Sequence, residues 1–170
     1  MEGSCKDGVI HFDGTLTEDA DWQRIESYME THSHEALKDG LVRLDMSKVS
    51  RANSCGLLEW TKLVQKLEIE VEFVNCPIWL ITQINCSIED FLMERSLVTS
   101  LIAPFYNVQK DEHVMVNLKI PADVPIKDDY EDFTLELSTD DGYALEPDFE
   151  ADEYFYFLTE IGDRYLDKCA

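Results

Sequence analysis

Positive charge is what this chain has least of: 14 Lys and Arg stand against 36 Asp and Glu, a net charge of −22 at pH 7. A nucleic-acid-binding surface needs clustered cations to displace counterions from phosphates, so this composition argues against a nucleic-acid partner. It suits a soluble surface, or one that attracts a basic partner and repels wrong ones. Glycine (7) and proline (5) are also few, which favours regular elements with short connections. No apolar run approaches the roughly 20 residues that span a bilayer, so no membrane insertion is expected. The opening Met1-Glu2-Gly3-Ser4-Cys5-Lys6-Asp7 is polar and has no signal-peptide core. Five cysteines, at 5, 55, 76, 86 and 169, form no Cys-x-x-Cys pair, and an odd count argues against a disulfide framework. Reduced thiols point to a cytoplasmic protein.

What is present is an ordinary globular composition, 45% hydrophobic and 11% aromatic over 170 residues, enough for one good core. Val9 to Phe12 and Leu41 to Met46 read as strands, the second apolar enough to be buried on both faces. Asp19 to about Leu37 reads as a helix with Trp22, Ile25, Met29, His32 and Ala36 on one face, ended by Gly40. A second helix runs from Ser54 to Leu67, with Leu57, Trp60, Thr61, Val64 and Leu67 recurring at helical spacing. Val71 to Val74 is a further strand. Pro77 is placed to be a first helical residue, opening a helix through Ile78, Ile81 and Ile84. Another turn at Ile88, Phe91 and Leu92 precedes a strand at Leu97 to Ile102. Strands alternating with helices at this spacing indicate an α/β layer.

Beyond that the character changes. Val114, Val116, Leu118 and Ile120 alternate with Met115, Asn117 and Lys119, and Phe133, Leu135 and Leu137 alternate likewise, so a second antiparallel pair is expected. Pro147 is expected to open a final helix, with Ala151, Tyr154, Phe155, Leu158, Ile161 and Tyr165 as a core stripe. Residues 108–170 carry 5 basic and 18 acidic residues, net −13, against 9 and 18, net −9, for 1–107. The chain therefore divides into an α/β part, 1–106, and an acidic extension, 107–170, with a strand pair and a terminal helix.

The stretch Ser50-Arg51-Ala52-Asn53-Ser54-Cys55-Gly56-Leu57-Leu58 is the most informative. A strand, a short polar loop and a small-residue turn lead into an amphipathic helix. Asn53 or Ser54 can cap it, since a short side-chain oxygen accepts a free N–H of the first turn. Such a helix start is electropositive and would hold a phosphate on a neighbouring hydroxyl.

Together with Asp45-Met46-Ser47-x-Val49, these residues resemble the STAS domain of anti-sigma factor antagonists. There a strand ending near Asp-Leu-Ser precedes Asp-Ser-Ser-Gly-Leu at a helix start. Val9-Ile10-His11-Phe12-Asp13-Gly14-Thr15-Leu16 resembles the family's opening strand and Gly-x-Leu turn, and Glu70-Val71-Glu72-Phe73-Val74-Asn75 its next strand, closing on Val-Asn. The likeness covers roughly residues 7 to 106. It implies a fold of class α/β, an STAS-like mixed β-sheet with helices, here with a small acidic α+β C-terminal extension. It also implies a non-enzymatic, anti-anti-sigma type regulator that switches protein partners through the segment around Asn53-Gly56. The partner implied is an anti-sigma factor/serine kinase or another STAS protein, and a homodimer is a further expected assembly. Arg51, Asn53, Ser54, Cys55, Gly56 and Leu57 are the expected contacts. Cys55 stands where the family commonly carries its phosphorylated Ser, and Asn53 replaces the acidic residue. Ser54 is thus the phosphoacceptor candidate; a phosphate there adds about −1.5 to −2 charge and would release the partner. Some longer STAS-like proteins continue after Ala-Pro-Tyr-Tyr with a Cys-x-x-Cys. Here Ala103-Pro104-Phe105-Tyr106 is followed by Asn107 and Lys110 in the ligand positions.

Two other readings of the same segment are a constitutive structural subunit of a larger complex and a thiol-based sensor using Cys55, whose thiolate a helix N-terminus and Arg51 would favour. His11-Phe12-Asp13-Gly14-Thr15 resembles the Asp-x-Asp-Gly-Thr of haloacid-dehalogenase-like phosphatases. His11, however, occupies the nucleophile's place, and without that carboxylate no aspartyl intermediate forms. His32 and His34 point to different faces of a helix and make a poor metal pair. Asp128-Asp129 and Asp140-Asp141 lack a calcium-loop pattern, and Asp140-Asp141-Gly142 reads as a turn. No catalytic residue, metal site or cofactor is expected.

Overall fold

The computed structural model describes residues 1–36, 41–66, 70–92 and 96–167. Leu37, Gly40, Leu67 and Cys169 lie outside them. The chain opens with a hairpin, β1 (Glu2–Lys6) and β2 (Val9–Leu16), paired antiparallel. Its two-residue loop is Asp7-Gly8, both at positive φ (53° and 77°), the geometry that matches strand twist and that an Asp-Gly pair adopts readily. The polar composition hides β1 because it is an edge strand, although Asp-Gly ahead of an apolar run was a legible hairpin signal.

Three parallel strands follow. β3 (Leu41–Ala52) pairs β2, β4 (Glu70–Val74) pairs β3, and β5 (Ser96–Val98) pairs β4, giving sheet order β1-β2-β3-β4-β5. The connections are α1 (Trp22–Ala36), α2 (Ser54–Lys66), and α3 (Ile78–Cys86) with the single turn α4 (Ile88–Phe91). α1 starts at Trp22 rather than Asp19 because Asp21 caps it, its Oδ1 accepting the Arg24 N–H at 3.1 Å. Pro77 is the cap residue of α3 rather than its first helical residue. Phe12 packs edge-on against Tyr28 of α1 and Trp60 of α2, so both helices cover the same face of the sheet. On the opposite face of the strands, cross-strand rows set His11 beside Asp45 and Arg43 beside Glu72, the latter bonded at 2.9 Å.

The segment expected as one strand at Leu97 to Ile102 is two. It breaks at Thr99, whose N–H bonds Phe73 O at 2.9 Å. β6 (Ser100–Asn107) then enters a second, antiparallel sheet of order β7-β6-β9-β8, with β7 (Glu112–Lys119), β8 (Leu137–Ser138) and β9 (Ala144–Pro147). The boundary drawn at 106/107 therefore falls at the last residues of β6. Phe133 and Leu135 are not in a strand: Phe133 turns its ring against Tyr130 and Phe155 instead, and only Leu137 finds a partner, Leu145. Pro147 closes β9 rather than opening a helix. Helices start at Ala151, as α5 (Ala151–Tyr154) and α6 (Tyr156–Asp167). Their stripe is buried at Tyr154, Phe155, Leu158, Ile161 and Tyr165, and one apolar cluster joins side chains from both sheets and these helices.

Candidate functional site

β3 does not stop at Met46. Register shifts at His11/Asp13 and Gly14/Thr15 keep β2 and β3 paired through Thr15↔Arg51 and Leu16↔Ala52, so Ser50, Arg51 and Ala52 are strand, not the expected loop. The chain then turns within one residue. Asn53 N donates to Leu16 O at 3.0 Å, and the Asn53 carbonyl accepts Leu57 N–H at 2.9 Å. Its side-chain Oδ1 accepts Gly56 N–H at 2.9 Å. Of the two candidate caps, Asn53 is the one used. Its amide donates to the Glu18 carboxylate, and that bond holds the Glu18 carboxyl below its ordinary pKa.

Each expected contact residue has a definite place. Arg51, Asn53, Ser54 and Cys55 are exposed, and Leu57 is half-buried. Gly56 points inward: a Cβ there would meet Leu16 O at 2.0 Å and Thr17 N at 2.7 Å. The absence of a side chain at position 56 is what lets α2 seat on the end of β2, so Gly56 positions the site and offers no surface of its own. Ser54 is the first helical residue of α2.

Beside this helix start runs a groove of about 410 Å³ between α2 and the α3–α4 segment. Ser54, Leu57, Leu58 and Thr61 line one wall, and Gln83, Ser87 and Phe91 the other. Arg51 and Cys55 are not among its lining residues. Leu58 is 57% exposed although it stands on a helix whose Trp60 and Val64 are fully packed. Sequence reasoning missed Leu58, Gln83 and Phe91 as site residues. The signal for Leu58 was present, an apolar residue adjacent to the core stripe where the helical period calls for a polar one.

A second polar constellation lies where the middle of β3 meets the C-terminal end of β4. Asp45 is buried and accepts Ser47 N–H at 2.8 Å and the Asn75 amide at 2.7 Å, with His11 Nδ1 at 3.3 Å. Burial raises its pKa, but the bonds from Ser47 and Asn75 and the nearby His11 outweigh that, and the carboxyl sits below its ordinary value. Asn75, at φ 54°, also donates its N–H to Ser100 Oγ at 2.8 Å and accepts the Asn117 amide on its Oδ1. Burial, followed by the Asp45 charge, drives the Cys76 thiol far above its usual range. His11 is thus the neighbour of a structural carboxylate, while Asp13 is exposed, 4.0 Å from Lys48 Nζ. Among the described residues no three His, Cys, Asp or Glu side chains converge as metal ligands, and no helix is long and apolar enough to cross a membrane.

No protein family, no curated protein and no solved structure matches the chain.

Proposed function

We propose that this chain is a non-enzymatic, STAS-like regulatory module that captures a protein partner through the start of α2 and the adjoining groove. In this reading residues 1–106 are the binding part and 107–170 an acidic extension, and the protein works in a bacterial cytoplasm in anti-anti-sigma type control of transcription. The observation that carries it is the exposed Leu58, beside Leu57 and Phe91 on a groove with Ser54 at its rim. An apolar ledge beside a chargeable hydroxyl is the arrangement that partner switching requires: apolar burial holds the complex, and a phosphate on Ser54 opposes it. Strands at Val9–Leu16 and Glu70–Val74 and a helix start at Asn53-Gly56 support the reading, whereas Gly14-Thr15-Leu16 and Asp45-Met46-Ser47 lie within β2 and β3 and not at the turn and strand end the resemblance implies. The partner is an anti-sigma factor/serine kinase or a second STAS protein.

The test is calorimetric titration of the purified chain with the serine kinases of anti-sigma type and STAS proteins encoded in its own genome. Leu58→Asp should cost about 2 kcal/mol or more of binding, with an unchanged circular dichroism spectrum. Ser54→Asp should weaken the same complex. Binding that ignores Leu58→Asp would remove the groove from the reading. Binding that needs Leu58 but ignores Ser54→Asp would favour the constitutive subunit, the reading that Cys55 at the usual acceptor position supports.

A further inference from the structure

We propose that β7 is the surface on which two copies of this chain associate, by antiparallel strand pairing about a two-fold axis at Met115. β7 is eight residues long and pairs with β6 in unbroken register from Asn107↔Glu112 to Ser100↔Lys119. It is the outermost strand of its sheet, and among the described residues no strand pairs with its other edge. An edge strand of this length and regularity, without proline or bulge and with its Glu and Lys only at the two ends, Glu112 and Lys119, has few of the devices that keep edges unpaired along its middle. β1, the polar edge of the other sheet, is only five residues long.

The hydrogen bonds determine which residues are open. Ile120 N donates to Thr99 O, the residue just ahead of β6, while Asp148 N bonds Pro104 O on the opposite side of β6. The even-numbered residues of β7 therefore bond β6, and His113, Met115, Asn117 and Lys119 turn their N–H and C=O groups to the free edge. Lys119 is already closed. Its N–H donates to Asp123 Oδ2 at 2.8 Å, and its carbonyl accepts the N–H of Asp123 and Val124. Three open residues remain, and they are symmetric about Met115.

That symmetry selects the occupant and the register. A second copy centred on Met115 sets Met115 against Met115 and His113 against Asn117 twice over, so every open backbone group is used. It also places Val114 against Val116 on the inner face and Asp111 opposite the oppositely charged Lys119 of the second copy. A centre at Val114 would leave Asn117 facing Asp111, which is at φ 53° in the turn. A centre at Val116 would press His113 on the closed Lys119. Met115, 58% exposed, is the apolar side chain the dyad would cover. This contact is separate from the α2 groove and does not depend on what binds there.

Each copy carries −22, so long-range repulsion opposes association, and added salt screens it. Sedimentation velocity on the full chain, from low micromolar to near-millimolar, should show a monomer–dimer equilibrium that tightens as NaCl is raised. Hydrogen exchange at the amides of His113, Met115 and Asn117 should slow as concentration rises. Met115→Lys, a change at an exposed position, should weaken the dimer about tenfold or more with unchanged thermal unfolding, and Met115→Leu should keep it. A chain that stays monomeric at the highest concentration in high salt overturns the proposal, including the case in which β7 takes a strand from another protein. So does a dimer indifferent to Met115→Lys whose His113 and Asn117 amides exchange as in the monomer.

Discussion

Gly56 shows how a residue chosen for one role can serve another. Its place in a small-residue turn was readable, but what demands the glycine is a contact 40 positions away in sequence, with the Leu16 carbonyl. A Cβ 2.0 Å from that oxygen leaves α2 no choice but to lift from β2, since backbone cannot step aside as a flexible side chain can. Gly56→Ala should therefore destabilise the protein by about 1–3 kcal/mol, despite alanine's better helix propensity, as measured by urea unfolding. A stability equal to the parent's would mean that α2 does not seat there. Asn53 is the converse case. Its capping role was legible because it depends on neighbours within three residues, whereas its bond to Glu18 was not, because that pairing requires the β2–β3 register.

Elements were legible where burial and period agreed, as in β4, α2 and α3. They were misread where a strand owes its ends to a partner. β3 runs on to Ala52 because β2 accompanies it, and the Leu97–Ile102 strand divides because its halves belong to different sheets. Asp45 and Asn75 sit at that division and connect β3, the end of β4, the start of β6 and β7. The Asp45 carboxyl is lowered in the folded state, so its stabilisation is present above the unfolded value. It is lost as pH falls from about the ordinary 3.8 through the lower folded value. Asp45→Asn should be less stable than the parent by about 1.5–3 kcal/mol at neutral pH. The gap should close when unfolding is measured in strongly acidic buffer. A gap independent of pH would assign the loss to geometry and not to the charge.

At the scale of the whole molecule, the acidic extension is tied to the rest by its apolar stripe and by a few buried polar anchors. Tyr165 Oη accepts Val98 N–H at 3.1 Å and donates to Val98 O at 2.8 Å; Tyr154 Oη donates to Ile102 O at 2.8 Å. Asn85 of α3 accepts Phe157 N–H at 3.0 Å and donates to Glu153 O at 2.8 Å. The stripe was readable from helical spacing alone. What it docks on was not, because Val98, Ile102 and Asn85 declare nothing about α6 in their own neighbourhoods. Burying a large apolar side chain contributes about 1.5–3 kcal/mol, and Phe155, Phe157 and Leu158 have no exposed surface at all. Leu158→Asp adds an unpaired charge to that loss, so it should remove a large share of the roughly 5–15 kcal/mol that holds a domain folded. Cutting the chain after residue 107 strips β6 of both its partners, β7 and β9, and the shared core of its aromatic cluster. The 1–107 fragment should then lack a cooperative thermal transition, while the full chain melts in a single one. A fragment that melts like the parent would show that the extension rests on the first sheet without supporting it.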